Sequence, residues 1–358
     1  MRSQSPWAQR TARLSLPGFC RHLALASAAI AAVTSPALAH KHETAAPVTI
    51  ERQGSFTVGG TVIGDPDKAT LACDHGFVEY QIPVKARKTA LMLWHSSSAQ
   101  VWQNRWDGGE GFQTIFLRRN FPVYLWDGPR VGRANWGCEE YPYKPVPGRD
   151  QGNFIAWRFG PEYQSWYEGV QFPTGDAEAW NQATRARYDE FDTVENAVLQ
   201  ADAAAKAVDR IGPTVLVTNS AGGLRALATA IKSDNVKAIV AYENPGFVYP
   251  LPENGEEQIP AGLYGPIYVP KEDFLKLTRI PIQFVWGDNI STSKIWAPAL
   301  ARCREYVDLI NRHGGKAELL VLPDKGIYGN THIPFADLNN VAVADQLSLF
   351  LKEKGLDQ

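Results

Sequence analysis

The feature that most constrains this chain is the stretch VLVTNSAGGLRALATAI, residues 215–231, where an apolar strand passes directly into a helix. Small residues, Ser220 to Gly223, occupy the junction. A sharp turn of this kind needs small neighbours because the serine backbone is strained. The setting predicts a nucleophile elbow with Ser220 at its apex, although Thr218 stands where the motif Gly-x-Ser-x-Gly has its first glycine. The alternative is a serine that caps an ordinary helix.

Apolar strand patterns and amphipathic helix patterns alternate along the chain. This alternation predicts an α/β fold with a doubly wound, mostly parallel sheet, in which functional groups lie in loops at the carboxyl ends of the strands. With 358 residues and 44% apolar composition, one large domain over 40–358 is expected. The strand-like segments are 75–84, 89–98, 121–133, 214–220, 236–246, 280–289 and 316–324, and the helix-like segments are 109–120, 188–212, 222–233 and 298–315.

Residues 1–39 differ from the rest of the chain. Four arginines precede an apolar stretch that ends in Ala37-Leu38-Ala39, the small-x-small pattern of a signal peptidase site. An export signal is predicted, with His40 as the mature N-terminus and a soluble periplasmic or secreted product; the alternative is an amphipathic helix of the mature fold. No later segment approaches the roughly 20 apolar residues of a membrane span. The net charge of −2 gives no reason to expect nucleic acid as a partner.

The cysteines indicate one disulfide and no metal site. Cys20 leaves with the signal, and an oxidising compartment favours one pair among Cys73, Cys138 and Cys303. Cys73 with Cys138 is preferred because both lie in polar, loop-like segments, whereas Cys303 lies in a helical pattern as a buried small hydrophobe. The spacing leaves the pairing open. No Cys-x-x-Cys or His-x-x-x-His spacing occurs, so neither a metal nor a cofactor is expected.

A serine hydroxyl is a weak nucleophile and needs a base that is oriented by an acid. Where the order along the chain is serine, acid, histidine, the histidine follows the last strand. The segment ELLVLPDKGIYGNTHIPFADLNN places His332 there. His313 ends a helix at NRHGG and is better explained as a cation at the helix carboxyl end.

The acid has two candidates, Glu243 and Asp288. Asp288 follows the penultimate strand, where many such enzymes keep the acid, but the usual spacing, three residues past the glycine, falls on Ile290. Glu243 follows the strand after the nucleophile's helix. The residues directly before Glu243, AIVAY, are all apolar, so burial of an unpaired glutamate there would cost much free energy. Glu243 is preferred, and Asp288 becomes a loop or capping residue.

An oxyanion that develops on the substrate needs two hydrogen-bond donors. The backbone N–H of Ala221 is the first candidate, since it directly follows the nucleophile. The second should come from the loop that begins at His95, where Ser97 is preferred and Ser96 is the alternative. His95 is interpreted as a histidine that braces this loop rather than as a proton carrier.

Six segments of the chain carry a family resemblance: GSFTVGGTV, DHGFVEYQIPVKARKTALMLWH, WDGGEGFQTIFLRRNFPVYLWDGPRVGR, TNSAGG, YENPG and GNTHIPFADLNNVAVADQLSLFL. Together they resemble the secreted bacterial α/β-hydrolases grouped with the Alcaligenes-type esterase. The resemblance implies an α/β-hydrolase fold, with Ser220 as nucleophile, Glu243 as acid and His332 as base. The chain departs from the pattern at Ser96-Ser97-Ser98, which replace a glycine-bearing oxyanion loop.

Two long irregular segments, 128–187 and 246–275, are predicted to form cap or pocket insertions, either as lids or as static covers. Their aromatic residues favour a small-molecule ester with an apolar or aromatic group. The expected function is a secreted serine esterase that acts through an acyl-enzyme. An amidase or lactonase with the same triad, or a catalytically silent periplasmic binding protein, are the alternatives. A homodimer is left open.

Overall fold

The computed structural model describes residues 46–95, 98–141, 144–253, 258–260, 262 and 264–358. The predicted export signal, 1–39, and its cleavage site lie outside the described residues, as do Ser96 and Ser97.

The elements alternate as the sequence predicts. The strands are β1 Ile50–Asp65, β2 Ala69–Pro83, β3 Ala90–Trp94, β4 Val123–Asp127, β5 Thr214–Asn219, β6 Val236–Tyr242, β7 Val248–Pro250, β8 Ile267–Val269, β9 Pro281–Trp286 and β10 Lys316–Val321. The helices are α1 Gln100–Gln103, α2 Phe112–Arg118, α3 Arg149–Ala156, α4 Ala177–Arg185, α5 Val194–Ile211, α6 Gly222–Lys232, α7 Lys271–Phe274, α8 Trp296–Arg312 and α9 Asn340–Glu353, with short 3₁₀ helices at Gly132–Ala134, Leu275–Arg279 and Leu322–Lys325.

Eight of the described strands form one sheet in the order β1-β2-β4-β3-β5-β6-β9-β10. Strand β2 runs antiparallel to both of its neighbours, and every pair from β4 to β10 is parallel. Strands β7 and β8 form a separate parallel pair. This mixed, mostly parallel sheet is that of an α/β-hydrolase fold, so the predicted fold class is confirmed.

Strand β1 and the first part of β2 form a hairpin that the strand patterns did not predict. The predicted strand begins at His75, whereas β2 begins at Ala69 and pairs with β1 from Ile50 to Asp65. Most of the residues in β1 are exposed. A strand that is exposed to solvent on both faces lacks the alternation of apolar and polar residues. Strand prediction from sequence depends on that alternation.

The core lies on both faces of the sheet. Val215 and Val217 of β5 point to one face, where α2 and α9 pack, and Leu216 points to the other, against α5, α6 and α8. All six residues of β5 are buried. Burial on both faces explains why this strand is a continuous apolar run rather than an alternating one.

Cys73 and Cys138 form the predicted disulfide, which ties β2 to the segment after β4. An ion pair between Arg130 and Asp74, 2.7 Å, lies beside it. Cys303 is a buried free thiol in α8, as predicted, and its sulfur accepts a hydrogen bond from the Trp286 indole N–H at 3.4 Å. Burial raises the pKa of Cys303 to about 12. Over the part of the chain that is described, no helix has the length and apolar character needed to cross a membrane.

Candidate active site

Ser220 lies at the turn between β5 and α6 in the left-handed backbone region, with φ of +52°. Its N–H donates to the carbonyl of Tyr242 at 2.9 Å, and its own carbonyl accepts from the Gly223 N–H at 3.0 Å. A Cβ atom at Gly223 would lie 2.5 Å from the side chain of Asn244, so the turn requires a residue without a side chain there. The residue that caps α6 is Ala221, with no side-chain capping bond. The local geometry is therefore that of a strained elbow and not of a serine N-cap.

Glu243 leaves the end of β6, also with a left-handed backbone, φ +54°, and is completely buried. Its Oε1 accepts two hydrogen bonds of 2.6 Å each, from Nη2 of Arg158 and from the backbone N–H of Gly287. Its Oε2 lies 3.5 Å from Nδ1 of His332. That separation is at the outer limit of a hydrogen bond, and catalytic contacts often shorten only when substrate binds.

His332 lies in the loop between β10 and α9 and is 3% exposed. Its backbone N–H donates to the carbonyl of Trp157 at 2.9 Å, and its backbone carbonyl accepts from Nδ2 of Asn219 at 3.0 Å. The imidazole stacks on the indole of Trp296, with ring centroids 4.2 Å apart. Because Asn219 directly precedes Ser220, the loop that carries His332 is fastened to the elbow.

The electrostatics of the pair favour a neutral imidazole beside a charged carboxylate. Burial by itself raises the pKa of Glu243, but the positive charge of Arg158 and the nearby His332 outweigh it, so the pKa lies below the ordinary value. Burial lowers the pKa of His332; Glu243 opposes this shift and Arg158 adds to it, and the net pKa lies below 6.5. A neutral histidine is the form that can accept a proton.

Asp288, the rival acid, binds backbone groups. Its carboxylate accepts from the N–H of Asn289 at 2.6 Å and from that of Gly329 at 2.8 Å. These bonds tie the loop after β9 to the loop that leads to His332, which fits a loop residue. His313 follows the last residue of α8, with Nδ1 2.9 Å from the carbonyl of Leu309, at the helix end where a cation was predicted.

Of the predicted oxyanion donors, Ala221 is buried at the first turn of α6, directly after the nucleophile candidate. Ser97 and its alternative Ser96 lie outside the described residues. His95 braces the same loop, since its Nδ1 accepts from the N–H of Ser98 at 3.1 Å. Burial lowers the pKa of His95 to about 3, with further lowering by neighbouring cations and by His332. His95 is therefore neutral near pH 7, which agrees with a bracing role.

Two buried groups that hold this site together, Arg158 and Asp337, are not marked by any sequence motif. Arg158 forms an ion pair with Glu243. In the sequence, only the apolar residues that precede Glu243 indicate that its buried carboxylate needs a partner. Asp337 fastens the His332 loop: it accepts from the indole N–H of Trp106 at 3.0 Å, from the N–H and hydroxyl of Thr331 at 2.7 and 2.8 Å, and from Nδ2 of Asn330 at 3.1 Å. Burial raises the pKa of Asp337 to about 7 against these bonds.

The two long segments predicted as cap insertions differ in what they contribute. The first carries a cluster of packed aromatic rings in which Trp166 stacks on Phe172 with centroids 5.1 Å apart. The second borders a cavity of about 340 Å³ together with Arg302 of α8. This aromatic cluster of the first segment also includes the rings of Phe154, Phe159, Tyr163 and Trp180.

The chain matches no protein-family model and no curated protein. Its structure is similar to that of a novel bacterial esterase, with 27% sequence identity, coverage of 87% of this chain and 98% of that chain, and a TM-score of 0.72. Weaker matches are naproxen esterase from Bacillus subtilis (12% identity, 85% and 92% coverage, TM-score 0.42) and an esterase from Pyrobaculum calidifontis (13%, 86% and 87%, 0.39). The chain therefore has an α/β-hydrolase fold that is similar to the structure of an esterase.

Proposed function

We propose that this protein hydrolyses carboxylic esters through an acyl-enzyme formed on Ser220. The observation that supports this most is the buried Glu243 carboxylate beside His332, in a loop fastened to the strained turn at Ser220. A serine hydrolase needs these three groups at neighbouring strand ends. In a protein that only binds ligands, a buried carboxylate beside a histidine would cost desolvation energy without a catalytic role. The likeness to a bacterial esterase at 27% identity agrees with this assignment.

The proposed reaction has two half-reactions. The Ser220 hydroxyl attacks the ester carbonyl while His332 takes the hydroxyl proton, and the tetrahedral intermediate forms with its negative oxygen on the N–H groups of Ala221 and Ser97. His332 then returns the proton to the leaving alcohol, which leaves an acyl group on Ser220. In the second half-reaction His332 deprotonates a water that attacks the acyl carbon. The bond from that carbon to Oγ of Ser220 then breaks, His332 returns the proton to Oγ, and the acid product departs. Glu243 holds the imidazole tautomer and stabilises the imidazolium.

The substrate is proposed to be a small-molecule ester with an apolar or aromatic group, since the segment 154–180 carries packed aromatic rings and binds the backbone N–H of His332 through the carbonyl of Trp157. We further propose that the protein is exported to the periplasm or beyond, because residues 1–39 carry the features of a cleaved signal.

The test is the activity of Ser220→Ala on a panel of activated esters, with an anilide and a lactone of matched size beside them. We expect hydrolysis of the esters by the wild-type protein and a loss of roughly 10⁴-fold or more in kcat for the variant. The matched control is Ser291→Ala, an exposed loop serine that should keep full activity. Ester turnover that survives in Ser220→Ala would refute the proposal, and a preference for the anilide or lactone would change the substrate class.

A further inference from the structure

We propose that Arg158 is a positioning residue for the proposed ester hydrolysis, because it fixes one oxygen of Glu243 so that the other faces His332. The inference rests on the proposed function. It gives a role to a residue that lies just after α3, between Phe154 and Phe159 of the aromatic cluster.

The guanidinium of Arg158 bridges the ends of two neighbouring parallel strands. Its Nη2 donates to Oε1 of Glu243 at 2.6 Å, after β6, and its Nε donates to the carbonyl of Asp288 at 2.7 Å, after β9. The side chain is 1% exposed. A planar guanidinium held at two of its nitrogens has little freedom to rotate, so the position of Oε1 is determined by the strand ends.

The second donor on Glu243 completes this arrangement. The N–H of Gly287 also binds Oε1 at 2.6 Å, so both strong bonds of the carboxylate converge on the same oxygen. Oε2 is thereby directed to Nδ1 of His332 at 3.5 Å. A Cβ atom at Gly287 would lie 3.0 Å from Oε1, which shows how closely the backbone approaches the carboxylate.

The two residues before Arg158 contact the histidine and the indole on which it stacks. The carbonyl of Trp157 accepts the N–H of His332, and the carbonyl of Ala156 accepts the indole N–H of Trp296, on which the imidazole stacks. Three consecutive residues thus hold the acid, the base and the ring under the base. Arg158 itself has a left-handed backbone, φ +59°, a conformation that a non-glycine residue keeps only when its surroundings enforce it.

The charge of Arg158 also acts on both titrating groups. It lowers the pKa of Glu243 and that of His332, which keeps the carboxylate charged and the imidazole neutral. Other titratable groups on the elements around His332 include His95, which is neutral near pH 7, Asp337, bound to the adjacent Thr331, and Asp288, bound to Gly329 of the same loop. Removal of the Arg158 charge should therefore raise the pKa of His332.

A purely structural Arg158 would neutralise a buried carboxylate and affect folding alone. The two roles are separated by kinetics on Arg158→Met and Arg158→Lys in the mature protein, each normalised to folded sites by circular dichroism and fluorophosphonate titration. The control is Arg130→Met, which breaks a largely buried Arg–Asp pair far along the chain from the triad, with side chains 10% and 9% exposed.

For Arg158→Met we expect kcat to fall by about 100-fold with KM within threefold, and the acid limb of kcat/KM to move up by about one pH unit. Arg158→Lys keeps the charge but not the planar two-point contact, so the limb should stay in place while kcat falls by about tenfold. Arg130→Met should keep the wild-type profile even if it melts earlier.

A folded Arg158→Met with wild-type kcat and an unmoved limb would overturn the inference. If Arg158→Met does not fold, wild-type kcat in Arg158→Lys overturns it instead. A wild-type protein that shows no ester turnover and no fluorophosphonate adduct would contradict the proposed function itself, which is a separate outcome.

Discussion

Replacement of Glu243 by glutamine changes one atom of the site and removes its negative charge. In the structure Oε1 receives two donors, from Arg158 and Gly287, so the amide oxygen of the glutamine has to occupy that position. The amide NH₂ then faces Nδ1 of His332, where Oε2 now lies at 3.5 Å. An imidazole that accepts at Nδ1 carries its proton on Nε2, the nitrogen that must take the proton from the serine.

This wrong tautomer, together with the lost stabilisation of the imidazolium, predicts a fall in kcat of about 10³- to 10⁴-fold. The folded state should suffer as well, because Arg158 is left as a buried cation without a counter-charge. Breaking such a pair costs about 3–5 kcal/mol, which for a domain of more than 300 residues lowers the melting temperature by roughly 5–8 °C. The double variant Glu243→Gln/Arg158→Met should recover part of that loss without recovering activity.

The assay is kcat on one activated ester at a temperature at which each variant is folded, with melting curves recorded in parallel. Asp288→Asn is the matched control: its carboxylate bonds only to backbone N–H groups in the described structure, so kcat should change by less than about tenfold. A crippled Asp288→Asn beside a nearly active Glu243→Gln would refute the assignment of the acid.

Two further predictions concern pH and export. Burial lowers the pKa of His332, and the charge of Arg158 adds to this shift. Because kcat/KM depends on the neutral imidazole, the acid limb of its pH profile should have a midpoint below pH 6.5. A midpoint above pH 6.5 would contradict the electrostatics of the site. Protein recovered from the bacterial envelope should begin at His40 in mass spectra, and an intact Met1 would refute the export proposal.

The fold could be predicted from sequence because its central strands are buried on both faces. Continuous apolar runs such as β5 and β6, each followed by small or polar residues, mark the strand ends, and the order of Ser220, Glu243 and His332 along the chain follows from them. Strand β1 and the first part of β2 escaped prediction because their residues are largely exposed, which removes the alternation of apolar and polar positions.

The parts of the site that escaped prediction depend on tertiary contacts between distant segments. Arg158 and Glu243 are 85 residues apart, and 36 lysines and arginines could have supplied the partner. The loss of stability expected for Glu243→Gln depends on this buried ion pair, which no sequence pattern reveals. Asp337 is similar: its role depends on donors from Trp106 and Thr331 that only the folded chain brings together.

The central claim is that Ser220 is an activated nucleophile, and a covalent label tests it most directly. The mature protein is treated with a fluorophosphonate, digested and mapped by mass spectrometry, with Glu243→Gln and His332→Ala treated in parallel. We predict one adduct, on the peptide that contains Ser220, and much slower labelling in both variants. No adduct on Ser220, or an adduct that forms equally fast without His332, would contradict the account.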